Sequence, residues 1–548
     1  MTLRVALCYP NRPAVGRTNL GFNIVRELLG TLGQPLDLEE RFVGRQRRDQ
    51  RPLAQFDLIA CSIPFEGDYP RLVEWLVAND VEPRATRRPD GPLLLIGGMA
   101  PTLNPEPLGL IADLIAIGEA EPLLPELTAT IGPLLRARAR RDQVLAAAAE
   151  VDGIYVPEQL RFEFAADGRI VDIASAHPGV ALPLVHRRWN ADLDQRPGSA
   201  PVIADDEIFA GCAVVEATRG CLWGCRFCAA GFVQRPFRQR RLEALWPDVE
   251  RGLALRRRVG LIGADLGDLD GLPMLVERIH AAGGTMTPSA LRATAVDAAL
   301  AQALAATGKK LATLAPEAGS DRLRRLINKP ISDDQLLSAV DALASAGIEN
   351  IRLYFLIGLP TEDNDDVAAI AALGLRVRAQ LMQRGRVRGR VGGVTLSVTP
   401  FVPKPATPFQ WEPFCDVAAL RHKHAQLRQA CAGVDNLELK VEPLPATVEQ
   451  AVLARADRRV GDLLIAAAEQ KRPLRQLFDD NPLISGPALA GFSEHALLPW
   501  QQVDHGVGRD FLWRERERAL AGKITPPCDL QRCNACALEC GRRHRTSG

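Results

Sequence analysis

The chain has 548 residues, 47% hydrophobic and 24% charged, with 67 basic against 66 acidic residues and a formal net charge of +1. That composition excludes intrinsic disorder, collagen and a coiled coil as descriptions of the whole chain. The balanced charge gives no overall pull toward nucleic acid or an anionic membrane. At roughly 150 residues per domain the length suggests about three or four units. No run approaches the about 20 apolar residues of a spanning helix, so no membrane association is expected. The first residues run straight into a strand-like pattern, without the apolar stretch and cleavage site of a secretory signal. A cytoplasmic location is expected, where thiols stay reduced.

In chain order, residues 3–9, 56–62, 92–96 and 113–117 read as buried strands, with helical spacing over 21–29 and 69–77. Short apolar strands alternating with helices indicate a parallel sheet with crossover helices, here a Rossmann-like domain over 1–133. Such sheets bind ligands beyond the carboxyl ends of their strands. The turns Cys61-Ser62-Ile63-Pro64, Gly97-Gly98-Met99 and Gly118-Glu119 lie at those ends. Residues 134–149 read as one helix, followed by short strands over 153–156, 160–164 and 170–173, so 134–206 is expected to be a helix and small β linker.

A second alternation fills 207–413, with strands at 213–217, 259–263, 310–314, 350–356 and 393–398 and helices at 272–282, 296–306 and 334–346. That is five or six βα units, a full or partial (β/α) barrel, in which chemistry sits on loops at the carboxyl ends of the strands. A Pro-rich segment, 400–411, leads into helices at 417–432 and 447–470 and a cysteine-rich end. The expected fold is therefore α/β: a parallel-sheet domain, a barrel core, and a mostly helical region over 414–548.

Twelve cysteines in a reducing compartment argue against a disulfide framework. Cys8, Cys61, Cys212, Cys415 and Cys431 are scattered and read as small core hydrophobes. The other seven form two clusters: Cys221, Cys225 and Cys228, and then Cys528, Cys533, Cys536 and Cys540. The first sits directly after the first barrel strand, in Gly220-Cys221-Leu-Trp-Gly224-Cys225-Arg-Phe227-Cys228. Three thiolates on one tight loop suit three irons of a cubane cluster, with Gly220 and Gly224 letting the loop curl. A missing fourth ligand leaves one iron open, the logic that separates catalytic from structural metal sites. A zinc knot needs four ligands in two close pairs, and no local residue completes that set.

The Cys-x-x-x-Cys-x-x-Cys spacing with Phe227 before the last cysteine, on a strand-then-barrel pattern, resembles the radical SAM enzymes. The resemblance implies a 4Fe–4S cluster whose open iron chelates S-adenosylmethionine, and a 5′-deoxyadenosyl radical released by one-electron cleavage. It also implies cofactor-binding roles. Gly263 and Asp265, in Gly263-Ala-Asp-Leu-Gly-Asp268, resemble the loop that holds the methionyl amino group, though the usual Gly-Gly-Glu form is absent. Glu317 resembles a carboxylate that contacts the cosubstrate, and its alternative is a helix-start acid. Gly358, in Tyr354-Phe-Leu-Ile-Gly358, resembles the strand backing the adenine. Arg292 is a candidate partner for a carboxylate, with surface solvation as the alternative.

Gly97, Gly98 and Gly118 with their neighbours resemble the cobalamin-binding-type domain that precedes many radical SAM cores. The Asp-x-His-x-x-Gly pattern of a lower-axial imidazole is absent, and the first histidine of the chain is His177. Either cobalamin binds without a histidine ligand, or the domain is a scaffold that binds something else or nothing. The four-cysteine tail suits a second iron–sulfur cluster, for electron relay, substrate binding or sulfur donation, with zinc as the alternative.

The resemblance implies a radical SAM enzyme for C–H functionalisation, a transferase, with methyl transfer favoured. A flavodoxin or ferredoxin would supply the electron, and the substrate class stays open among small molecule, peptide and RNA. The alternatives are methylthiotransferase-like sulfur insertion, a non-catalytic two-cluster electron carrier or scaffold, and a zinc-bound nucleic-acid module.

Overall fold

The structure, a computed structural model, describes residues 2–31, 35–43, 50–195, 211–288, 291–306, 308–530, 536 and 538. Six strands build the N-terminal sheet: β1 (Leu3–Tyr9), β2 (Leu36–Phe42), β3 (Leu58–Ser62), β4 (Leu93–Gly97), β5 (Leu114–Ala116) and β6 (Ile154–Tyr155). Their order is β2-β1-β3-β4-β5-β6. All pairings are parallel except the last. The order reverses between β1 and β3, which opens a crevice at their carboxyl ends.

Both faces of this sheet are covered, which is why its inner strands read as continuous apolar runs. Helices Leu20–Thr31 and Ala120–Arg136 pack on one face through Leu28, Leu123, Leu127 and Ile131. Tyr69–Ala78 covers the other, together with Val460–Gln470, which returns from the far end of the chain. Strand β2 escaped the sequence reading. Its residues, Leu-Asp-Leu-Glu-Glu-Arg-Phe, are only half-buried at the sheet edge.

Residues 134–149 are not one helix. The first helix ends at Arg136, Arg138 takes a left-handed φ of 54°, and a new helix runs Arg141–Ala149. The Gln143 side chain accepts from the Arg140 backbone N–H at 3.2 Å and starts it. A hairpin, β7 (Leu160–Phe164) and β8 (Ile170–Ser175), and a short β9 (Val185–His186) follow.

The second unit starts with β10 (Ala213–Glu216) and a small antiparallel pair, β11 (Thr218–Arg219) with β12 (Arg238–Gln239). The remaining strands are β13 (Arg258–Ile262), β14 (Thr285–Pro288), β15 (Leu311–Glu317), β16 (Asn350–Ile357), β17 (Val394–Pro400) and β18 (Leu437–Val441). β10-β13-β14 and β15-β16-β17-β18 are two parallel sheets, joined by a parallel bridge between Leu291 and Leu314. Together they form a seven-stranded partial barrel. Strands β14 and β18, absent from the sequence reading, are short, and β18 is a half-buried edge strand.

Alternation decides which way each residue points. Ile351, Leu353, Phe355 and Ile357 join one core with Leu336, Val340, Ile370 and Val377 of the outer helices Asp333–Ala346 and Asn364–Val387. Arg352, Tyr354 and Leu356 therefore face the concave side.

The stretch 447–470 is also two helices, Leu444–Arg455 and Val460–Gln470. Ala456 is extended between them, and the Asp457 carboxylate accepts from the Arg459 backbone N–H at 3.0 Å. The last helix, Arg509–Leu520, packs Trp513 edge-on against Trp411 at 5.0 Å, and β19 (Val503–Asp504) pairs with β9. Among the described residues no helix is long and apolar enough to cross a membrane.

Candidate active site

Gly220, between β11 and Cys221, has a φ of 80°. A Cβ there would lie 2.5 Å from the Gln234 carbonyl and 2.6 Å from that of Pro236. Only glycine fits. Gly224 has no left-handed φ, and a Cβ there would meet only Asn328 and Arg235 side chains at 3.4 and 3.5 Å, ordinary contact, so its expected part in curling the loop is not needed. The Cys228 N–H donates to the Cys225 carbonyl at 2.9 Å, and the chain turns into the short helix Ala230–Val233.

The three thiols lie close enough to affect one another. Burial pushes Cys221 up to about 12 and Cys228 up to about 11, with the neighbouring thiols adding to both. Among the described residues no three His, Cys, Asp or Glu side chains gather about one point as a single metal ion requires. Three thiols spread along one loop instead suit a cluster in which each binds a different iron. The donor set fits such a group.

Cations surround the loop. Arg292 stacks on Trp223 at 3.7 Å, and its Nη1 lies 4.0 Å from Cys225 Sγ. Trp223 Nε1 donates to Asp268 at 2.8 Å, and Arg292 Nε lies 3.9 Å from Asp265. Burial, with Asp268 adding, raises the Asp265 carboxyl to about 6. Glu317 sits at the end of β15 with a left-handed φ of 66°, and Lys329 Nζ contacts it at 3.1 Å. Burial would lower the Lys329 ammonium, but Glu317 and Cys225 outweigh it and hold it above its ordinary value.

Arg226, between two of the cysteines, is fully buried. It donates to the Leu326 carbonyl at 2.9 Å and the Lys523 carbonyl at 2.7 Å, and pairs with Glu515 at 3.2 Å. The Asn328 amide donates to the carbonyls of Gly224 and Thr525, both at 3.1 Å, and its oxygen accepts from the Thr525 N–H at 2.8 Å. The Cys528 N–H then donates to the Leu222 carbonyl at 2.8 Å. The C-terminal segment is thus laced across the cysteine loop. Cys536 is buried with Phe232, Trp411 and Leu512. Cys533 and Cys540 lie outside the described residues.

Phe227 packs against Leu326, Leu359 and Phe409 at the strand ends. Gly263 and Gly358 serve packing. A Cβ at Gly263 would lie 2.2 Å from Thr218 Oγ1, and one at Gly358 would lie 2.8 Å from Cys415 Cβ. Trp223, Arg226, Asn328 and Lys329 carried no sequence signal, because their partners lie up to about three hundred positions away.

Gly97, Gly98 and Gly118 line a different feature, a cavity of about 290 Å³ at the carboxyl ends of β1, β3 and β4. Its walls are mainly apolar, with Leu7, Ile24 and Leu123 among them, and include no histidine. Gly98 has a φ of 122°, and a Cβ there would lie 2.3 Å from the Ile63 carbonyl. At Gly118 it would lie 2.0 Å from the Arg188 carbonyl. The cavity reaches Glu216, Arg219 and Val233 of the second unit. There Arg219, two residues before Cys221, pairs with Glu119 at 2.6 Å, Glu121 at 2.9 Å and Glu216 at 2.8 Å. Burial would raise the Glu119 carboxyl, but Arg219 and Arg238 outweigh it and hold it below the ordinary range.

A partial barrel with three cysteines at its mouth, preceded by a Rossmann-like sheet, defines the class. Residues 215–374 match the radical SAM superfamily, and residues 44–157 match the N-terminal domain of radical SAM proteins. The chain belongs to the radical SAM proteins. The family's cofactors are a 4Fe–4S cluster and S-adenosylmethionine. An uncharacterized protein of Methanocaldococcus jannaschii is 31% identical over 253 residues, which are 46% of this chain and 53% of that protein. The match thus spans about half the length of that curated relative.

The radical S-adenosylmethionine methyltransferase TsrM of Kitasatospora setae, solved with cobalamin and a [4Fe-4S] cluster bound, overlaps 73% of this chain and 72% of its own at 14% identity and a TM-score of 0.49. The cobalamin-dependent enzyme OxsB, solved with aqua-cobalamin and S-adenosylmethionine, overlaps 100% and 84% at 12% identity and a TM-score of 0.47. At these identities no residue role is carried across.

Proposed function

We propose that Cys221, Cys225 and Cys228 hold the 4Fe–4S cluster of an enzyme that functionalises an unactivated C–H bond, with methyl transfer as the reaction. The carrying observation is the three-thiol loop at the barrel mouth, with Arg292, Lys329 and Arg226 around it. When bound, the reduced cluster supplies one electron that cleaves S-adenosylmethionine and yields a hydrogen-abstracting 5′-deoxyadenosyl radical.

The chain's own residues supply the rest. Asp265 and Glu317 offer carboxylates to the cosubstrate ammonium, and Arg292 offers a planar fork to its carboxylate. Phe227 closes the apolar side. Gly358 shapes the turn beyond β16, where its N–H donates to Glu362 at 2.6 Å. Gly97, Gly98 and Gly118 line the N-terminal cavity, which would hold a cobalamin that supplies methyl-transfer chemistry.

The tail supports a second cluster on Cys528, Cys533, Cys536 and Cys540, since Cys528 is hydrogen-bonded to the cysteine loop. Four thiols would fill every iron of a cubane, which favours electron relay over sulfur insertion. A flavodoxin or ferredoxin in the cytoplasm would be the electron source.

Anaerobic reconstitution with metal counting, followed by dithionite and S-adenosylmethionine, tests this reading. About eight irons and bound cobalt, with both 5′-deoxyadenosine and S-adenosylhomocysteine formed, are expected. Reversible reduction without cosubstrate cleavage would favour an electron carrier.

A further inference from the structure

The interior of a (β/α) barrel is ordinarily filled by layers of branched apolar side chains. Here the concave positions of β15, β16 and β17 include Thr313, Arg352, Tyr354, Thr395, Ser397 and Thr399, all partly exposed, beside the apolar Leu311, Ala315 and Leu356. Tyr354, in the middle of its strand, is 40% exposed. The interior is polar and part-open along these three strands, and Arg352 is the charged side chain low on β16.

Register places Thr313, Arg352 and Thr395 side by side on adjacent strands, about 4.8 Å apart, and Tyr354 beside Ser397. Arg352 makes no ion pair or side-chain hydrogen bond among the described residues, and its Nε is buried without a partner. A buried guanidinium N–H without an acceptor is costly, and the fork matches a carboxylate or a phosphate. The acids on β15 and β18 are engaged elsewhere. Glu438 accepts from the Thr395 hydroxyl at 3.1 Å and pairs with Lys440 at 3.3 Å, and Glu317 is held by Lys329.

We propose that Arg352, with the hydroxyls of Thr313 and Ser397, binds an anionic group of the substrate, a carboxylate or phosphate. Arg352 lies five residues below Ile357 at the carboxyl end of β16, about 16 Å at 3.3 Å per residue. A substrate anchored there extends past Tyr354 toward the cysteine loop, so it is elongated, with its anionic end remote from the reacting carbon. This rests on the barrel being the substrate chamber of a radical SAM enzyme.

Isothermal titration calorimetry on the full reconstituted protein tests it, with inorganic phosphate and succinate as probes. Saturable binding of one probe is expected, and the tighter of the two identifies the anion class. Arg352→Gln is expected to weaken it about tenfold or more, as for a lost charged hydrogen bond, and Arg352→Lys by less. Thr313→Val, which keeps the charge, is expected to weaken it severalfold and covers the case in which Arg352→Gln does not fold. No saturable binding to wild type, or binding to Arg352→Gln and Thr313→Val equal to that of wild type, overturns the proposal. S-adenosylmethionine titrated into the same samples separates the two readings. Wild type that binds the probe but not S-adenosylmethionine would sink the radical reading and leave the anion site standing.

Discussion

The N-terminal cavity and the cysteine loop are built on opposite principles. The cavity is mainly the product of one sheet, bounded on one side by Glu216, Arg219 and Val233 of the second unit. Its shape depends on glycines whose missing Cβ atoms leave room for facing carbonyls, and its walls are mainly apolar. The loop is a long-range product. Its shape depends on Arg226 and Asn328, which tie it to residues about a hundred and about three hundred positions away. A local device fails by steric strain. A long-range one fails by leaving buried charge unpaired.

The largest effect is expected at the thiols. Cys225→Ala should abolish 5′-deoxyadenosine formation and lower the iron content, while circular dichroism of the N-terminal sheet stays unchanged. Arg226→Ala comes next. It removes one of the two cations on buried Glu515, leaving Arg518 at 3.3 Å, and the donor to the Leu326 and Lys523 carbonyls, together costing about 3 kcal/mol or more; calorimetric unfolding should show it together with a more labile cluster.

A third prediction tests the seam between the two regions. His505 is buried, its Nε2–H donates to the Thr102 carbonyl at 2.9 Å, and burial lowers its pKa to about 4. The unfolded imidazole, near 6.5, binds a proton that the folded one refuses. The resulting stability is full above pH 6.5 and is lost progressively as pH falls toward 4, by about 3 kcal/mol in all. Denaturant unfolding from pH 7 to 4.5 should show this slope, and His505→Gln should flatten it.

Gly98→Ala and Gly118→Ala should each cost about 1–3 kcal/mol through left-handed backbone and collision with a carbonyl. They should reduce cobalt retention more than cosubstrate cleavage. The smallest effect is expected at Gly224→Ala, within about 0.5 kcal/mol, against a severe loss for Gly220→Ala. Equal effects of the two would contradict the loop geometry.

Legibility in the sequence follows the same division. The cysteine spacing, the double glycine after β4 and the alternation of apolar runs are local patterns, and the α/β class followed from them. Strand β2 was hidden because an edge strand keeps its acids exposed. The breaks at Arg138 and Ala456 were hidden because neither carries glycine or proline, and side-chain caps from Gln143 and Asp457 restart the helices. Lys329 and Asn328 follow a helix that gives no hint of the loop they meet. Packing of Val460–Gln470 on the N-terminal sheet is likewise a tertiary fact, since a C-terminal amphipathic helix reads the same wherever it docks.

The central claim is that the three-thiol loop supports reductive cleavage of S-adenosylmethionine. Quantifying 5′-deoxyadenosine from anaerobically reconstituted wild type and Cys225→Ala, with dithionite as reductant, tests it most directly. The account predicts formation by wild type and none above background by the variant. Equal formation by both would contradict it.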